Sequence, residues 1–463
     1  PPPLKVESTP WRVGHAVTLT VQSVPSSPRH PLTLTLLAPG TGLVPGAPPD
    51  MAHGPEFFGL AGVQLLWLPP DQRETEIALA AASGARILGL DFDWRRIEPE
   101  RGRYVWAEVD TVVALAKRYD LRLVPMLLYT PRWASMASFA PLDYHRAPPT
   151  NYDDYRNFVY AVVNRYKPYG EAPLTADGYG ITDWVIWNEP NVRSGREAPA
   201  PGDFWTGSLE EYIQLLRAGY EGAHAADPGG NVLNGGLADI FWEDGELDLL
   251  AALERLYDPN VDGDASDGAR PFFDTLNIHT YQLGPPDPDW YTTRLEAVSR
   301  VMAHFGDADK PIWITETGYG TVAAPGEGSR YVDEATQARA PVLLYTACAA
   351  FPQVERVFWW SLRDYHSNAA ENNPAMEAHY GLVRANFTPK PAYLAYAQLT
   401  GAGGAVLHLH ATPDAAGVAV VQAPASFVAQ AGNYIVFVER DRFTPAAVRI
   451  FTAAPAAEAS LIR

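Results

Sequence analysis

Between residue 57 and about residue 399, short apolar runs rich in β-branched residues alternate with longer stretches of helical pattern. Parallel strands need a crossover of a dozen or more residues, and a helix normally supplies it, so this alternation marks repeated βα units. Eight runs can be counted, near residues 60–67, 86–92, 121–128, 183–187, 232–236, 273–279, 311–315 and 354–361. Helical pattern lies between them at 108–119, 152–166, 209–226, 291–305 and 333–350. Eight is the number that closes a barrel, and the expected fold is α/β, a (β/α)₈ TIM barrel over residues 51–400.

The flanks read differently. Alternating stretches at 16–21 and 32–37 predict an N-terminal β segment over residues 1–50. After Gly401-Ala402-Gly403-Gly404, strand patterns at 405–411, 418–422, 434–438 and 447–451 predict a small antiparallel sheet over 401–463. The N-terminal strands are candidates to join that tail in one accessory β module.

Several function classes are disfavoured. Hydrophobic residues make up 47% of the 463 and charged residues 19%, a balance that builds a large core and opposes disorder. The formal net charge of −19 repels nucleic acid and anionic membranes, and no apolar run approaches the roughly 18 residues of a membrane span. Neither nucleic-acid binding nor membrane insertion is expected. The single cysteine, Cys348, allows no intrachain disulfide and reads as a core residue on a helix. No HExxH, Cys/His cluster or P-loop occurs, so neither a metal nor another cofactor is expected. Asp258, Asp262, Asp264 and Asp267 miss the EF-hand spacing and read as a solvated acidic loop. The chain opens at Pro1-Pro2-Pro3 without a charged and then apolar leader, so no signal peptide is expected in it, and an extracytoplasmic location is favoured over a cytoplasmic one. Oligomeric state leaves no mark in the sequence.

Barrel active sites lie at the C-terminal ends of the strands, so polar residues that end apolar runs come first. Trp184-Val185-Ile186-Trp187 ends in Asn188-Glu189-Pro190-Asn191 at the fourth strand. Pro311-Ile312-Trp313-Ile314-Thr315 ends in Glu316-Thr317-Gly318-Tyr319 at the seventh. About three βα units separate the glutamates, which lets them face each other across the mouth. Two such carboxylates suit glycoside hydrolysis, where one protonates the leaving oxygen and the other attacks the anomeric carbon or activates water. A gap of about 5 to 5.5 Å implies retention of configuration, and one of about 6.5 to 9.5 Å implies inversion.

Trp187-Asn188-Glu189-Pro190-Asn191 and Trp313-Ile314-Thr315-Glu316-Thr317-Gly318 resemble the acid/base and nucleophile motifs of clan A retaining glycoside hydrolases. Phe92-Asp93-Trp94 with Ile97-Glu98-Pro99, Tyr129-Thr130-Pro131-Arg132-Trp133-Ala134, Asn234-Gly235-Gly236 and Asn277-Ile278-His279-Thr280-Tyr281 extend the likeness, most closely to family 39. The resemblance implies Glu189 as acid/base and Glu316 as nucleophile in a double displacement on β-glycosidic bonds, with a carbohydrate as partner. It also implies Asn188 on the sugar 2-hydroxyl, Tyr281 beside Glu316, and His279 on the same wall. Trp133, Trp359 and Trp360 are candidate stacking faces, although adjacent strand residues point to opposite sides, so only one of Trp359 and Trp360 should face the pocket. Trp94 and Trp106 are expected to pack. One position departs from the pattern: where relatives carry an arginine that supports the nucleophile, this chain has Gly89, with Arg95 and Arg96 as candidate substitutes. A transglycosylase with the same site, or a catalytically weak carbohydrate-binding barrel, remains open.

Overall fold

The structure is a computed structural model that describes residues 5–12, 15–22, 32–39, 55–63, 65–66, 68–140, 143–192, 204–239, 248–260, 265–322, 325–326, 329, 331–365, 379–425, 428, 432–440 and 444–453. Of the acidic stretch noted above, Asp262 and Asp264 lie outside the described residues.

Three strands come first, β1 (Lys5–Ser8), β2 (Val17–Gln22) and β3 (Leu32–Pro39). The barrel follows with β4 (Phe58–Ala61), β5 (Ile87–Asp93), β6 (Arg122–Leu128), β7 (Asp183–Ile186), β8 (Asn231–Asn234), β9 (Leu237–Ala238), β10 (Leu276–Thr280), β11 (Ile312–Thr317) and β12 (Val354–Trp360). They pair in parallel in the order β8-β7-β6-β5-β4-β12-β11-β10-β9. β8 and β9 are halves of one strand interrupted at Gly235-Gly236, and a bridge from Leu233 to Thr275 joins the two ends of the sheet. Eight strands therefore close into the expected (β/α)₈ barrel. Strands β4, β7, β10 and β11 are buried along their whole length, because helices cover one face and the barrel core fills the other.

The described helices are α1 (Pro70–Ala82), α2 (Trp94–Ile97), α3 (Ala107–Arg118), α4 (Tyr152–Tyr166), α5 (Leu209–Ala226), α6 (Leu249–Tyr257), α7 (Pro288–His304), α8 (Glu334–Gln337), α9 (Ala340–Ala349) and α10 (Pro391–Leu399). Local chemistry sets their starts. Asn151 caps α4, Asp287 caps α7 just before Pro288, and Ser208 with Glu211 forms a capping box on α5.

Two expectations need correction. The first barrel strand ends at Ala61 rather than near residue 67, because Gly62 turns the chain with a φ of 63°. A side chain there would collide with Trp360 and Tyr365, so the close approach requires glycine. The single helix expected over 333–350 is split into α8 and α9, with Pro341 in the first turn of α9, where its missing N–H is tolerated.

The tail strands β13 (Gly403–Ala411), β14 (Val418–Ala423), β15 (Gly432–Arg440) and β16 (Thr444–Ala453) pair with the N-terminal ones. One sheet runs β1-β2-β14 and the other β13-β3-β15-β16, with every pair antiparallel. Val17, Leu19 and Val21 of the first and Leu34, Leu36 and Val436 of the second share one buried cluster. Both chain ends thus build a β sandwich beside the barrel.

Candidate active site

Glu189 and Glu316 come together as the strand count requires. An oxygen of each carboxylate and Nδ1 of His279 all lie within 4.8 Å of one another. His279 stands between them, with Nδ1 2.7 Å from Glu189 Oε1 and 3.6 Å from Glu316 Oε2. The Tyr281 hydroxyl donates to Glu316 Oε2 at 2.8 Å.

The turn that presents Glu189 is strained. Trp187 and Glu189 adopt φ of 73° and 41°, the left-handed region that residues with a Cβ avoid. Surrounding bonds hold it there. Trp187 Nε1 donates to the Phe204 carbonyl, Tyr212 Oη donates to the Ile186 carbonyl, and the Gly235 amide donates back to Tyr212 Oη at 2.6 Å. Asn191 exchanges both amide bonds with Ala238, tying the turn to the fifth barrel strand.

Behind His279 runs a chain of polar groups that sequence reading missed. Asn277 Nδ2 donates to the Asn234 carbonyl, which turns Asn277 Oδ1 toward Thr315. The Thr315 hydroxyl donates to that oxygen at 2.7 Å, so its own oxygen is the acceptor for His279 Nε2–H at 3.0 Å. Burial lowers the His279 pKa and favours the neutral ring. A neutral ring with its proton on Nε2 leaves a bare lone pair on Nδ1. Glu189 must then carry the proton in the 2.7 Å contact.

The Glu316 carboxylate takes one hydrogen bond among the described residues, from Tyr281. Burial pushes the Glu316 pKa up to about 7; a protonated His279 would oppose the rise and an ionised Glu189 would add to it, while Tyr281's hydrogen bond lowers it and the Asp91 charge raises it again. Neither candidate arginine substitutes at Gly89. Arg95 is chelated by Asp93 and lies over the Tyr129 ring, and Arg96 pairs with Glu108.

The remaining expected contacts divide. Asn188 is buried, and its Oδ1 has no hydrogen-bond partner among the described residues. Trp360 is partly exposed, edge-on to Tyr281 and Tyr365. Two expectations are corrected. His279 is fully buried behind the glutamates and offers no surface to a sugar. Trp359 is fully buried, with its indole N–H on the Tyr380 carbonyl, because it points outward where Trp360 points in. Trp133 is partly exposed, packs edge-on against Trp94, bonds the Glu98 carbonyl and lies under Arg101.

Fold and site together define a (β/α)₈ barrel with an acid pair at the C-terminal ends of its fourth and seventh strands. Neither a protein-family profile nor a curated protein sequence matches the chain. Among solved structures it is similar to a family 39 glycoside hydrolase from Bacteroides cellulosilyticus, at 16% identity and a TM-score of 0.53 over 86% of this chain and 82% of that one. A monomeric β-xylosidase from Caulobacter crescentus gives 15% identity and a TM-score of 0.54 over 88% and 77%. A family 5 enzyme from Bifidobacterium longum, solved with Manβ1-4GlcNAc, gives 16% and 0.53 over 74% and 77%. At these identities the shared property is the fold.

Proposed function

We propose that this protein is a retaining glycoside hydrolase that cleaves β-glycosidic bonds by double displacement. The observation that carries the reading is the acid pair: two carboxylates from opposite strands with oxygens within 4.8 Å of each other. Oxygens this close favour the short carboxyl spacing of retaining enzymes over the wider one of inverting enzymes. The enzymes of the same fold named above, a β-xylosidase among them, support a β-linked carbohydrate substrate.

The roles follow from the proton inventory. Glu189, protonated against the His279 lone pair, gives its proton to the departing oxygen while ionised Glu316 forms the glycosyl ester. Glu189, now a carboxylate, then takes a proton from the water that hydrolyses the ester. Tyr281 keeps Glu316 oriented, Asn188 Oδ1 accepts from the sugar 2-hydroxyl as positive charge builds on the ring, and Trp360 offers the stacking face.

Glu316→Ala with an activated aryl β-glycoside tests the reading. The variant is expected to lose turnover, and azide should restore it with a product of inverted configuration. Glu189→Ala should slow substrates with poor leaving groups far more than activated ones. Undiminished turnover in Glu316→Ala would overturn the proposal.

A further inference from the structure

Strand two brings a third carboxylate to the same mouth. Asp91 lies two residues beyond Gly89 on β5, hence on the same face. A methyl group added at Gly89 would touch Ala61 and Phe358, and Phe358 shares its side of β12 with Trp360, so that face is the barrel interior. Asp91 is partly accessible and has no hydrogen bond or ion pair among the described residues. Its charge is felt by Glu316 across the barrel, by Tyr129 at the end of β6 and by Tyr365 after β12. Arg95, the cation whose charge it feels, is chelated by Asp93. The Tyr129 hydroxyl is likewise without a partner among the described residues.

An interior carboxylate without donors is costly unless a ligand brings them. Burial pushes the Asp91 pKa up to about 7, so above that pH the floor of this site holds a further anion in the field of Glu316 and calls for donors from a ligand. An uncharged sugar ring supplies adjacent hydroxyl donors, whereas a uronic acid brings a further anion beside Asp91 and Glu316, and the cation that acts on Asp91 among the described residues, Arg95, is held by Asp93.

Resting on the glycosidase reading, we propose that Asp91 is a specificity-determining residue that accepts hydrogen bonds from neighbouring hydroxyls of the glycone, restricting the enzyme to uncharged sugars and excluding uronic acids. Asp91 works by contact with substrate and by its charge on Glu316. The second effect is separable, because removing the charge lets Glu316 ionise at lower pH while His279, Glu189 and Tyr281 stay in place.

The test compares wild type, Asp91→Asn and Asp91→Ala on 4-nitrophenyl glycosides of neutral hexoses and pentoses, on the matching uronides, and on monodeoxy versions of the best substrate. Wild type should favour the neutral glycoside over its uronide by about 10²-fold in kcat/KM. Asp91→Ala should lose about 10²-fold on the full sugar and much less on the analogue that lacks the contacted hydroxyl. The isosteric Asp91→Asn should shift the acid limb of kcat/KM to lower pH, which a purely structural role does not do. Equal losses on the parent and every deoxy analogue, or preference for the uronide, would overturn the inference. If Glu316→Ala is inactive while both Asp91 variants match wild type, this inference alone fails; if Glu316→Ala stays active, the glycosidase reading fails.

Discussion

Glu316 pays for its position in charge. Its pKa is raised from 4.5 to about 7, chiefly by burial, and a carboxyl raised on folding contributes stability that is present at acid pH and lost as pH rises through the folded value. Glu316→Gln removes the charge that must be buried. Its Tm is expected to exceed that of wild type at pH 8 by about 2 °C or more and to gain nothing at pH 5, as read by calorimetry. An equal gain at both pH values would count against a buried ionisation. His279 depends on a missing side chain in the same way. A methyl at Gly236 would sit 2.0 Å from His279 Nε2, so Gly236→Ala must drive the ring from its place. We expect kcat to fall about 10²-fold with little change in KM, because the proton on Glu189 loses its acceptor. Gly235-Gly236 was visible in the sequence, but its reason was not, since only the fold lays that break over the imidazole.

Element ends were legible wherever the chemistry is local. Helices α4 and α5 begin and end where the periodicity predicts, because Asn151 and Ser208 cap them from within the chain. Helices α1, α6 and α10 were given no bounds by the periodicity. Pro69, Pro70 and an alanine-rich body gave α1 little apolar stripe, and its place is set by a distant partner instead. Glu76 on α1 accepts from Arg363 Nε at 2.7 Å after the eighth barrel strand, and both are buried. Glu76→Ala would leave the guanidinium buried without its counter-charge. A loss of about 3–5 kcal/mol in urea unfolding is expected, against little for an exposed pair such as Arg217 with Glu221. Equal effects at the two pairs would refute that ranking.

At the scale of the whole molecule, the N-terminal strands cannot complete a sheet by themselves. β3 has β13 and β15 as its two neighbours, and β2 has β14 as one of its own. A chain ended after residue 401 would expose the apolar faces of β2 and β3 and is expected to aggregate, measurable as the soluble fraction after expression. A soluble truncate melting at the wild-type temperature would contradict this. What the sequence by itself determined was periodic or local: eight parallel strands, the starts of helices such as α4 and α5, and the two glutamates that end apolar runs at strands four and seven. The tertiary structure alone decided which residues share a space. Asn277, Thr315 and Asn234 line up behind His279, Arg95 turns away to Asp93, Trp360 faces in while Trp359 faces out, and Asp91, without a hydrogen-bond partner among the described residues, acts on Glu316 by its charge. These side chains come from strands far apart in sequence, and barrel closure, which no local pattern encodes, sets the distances between them.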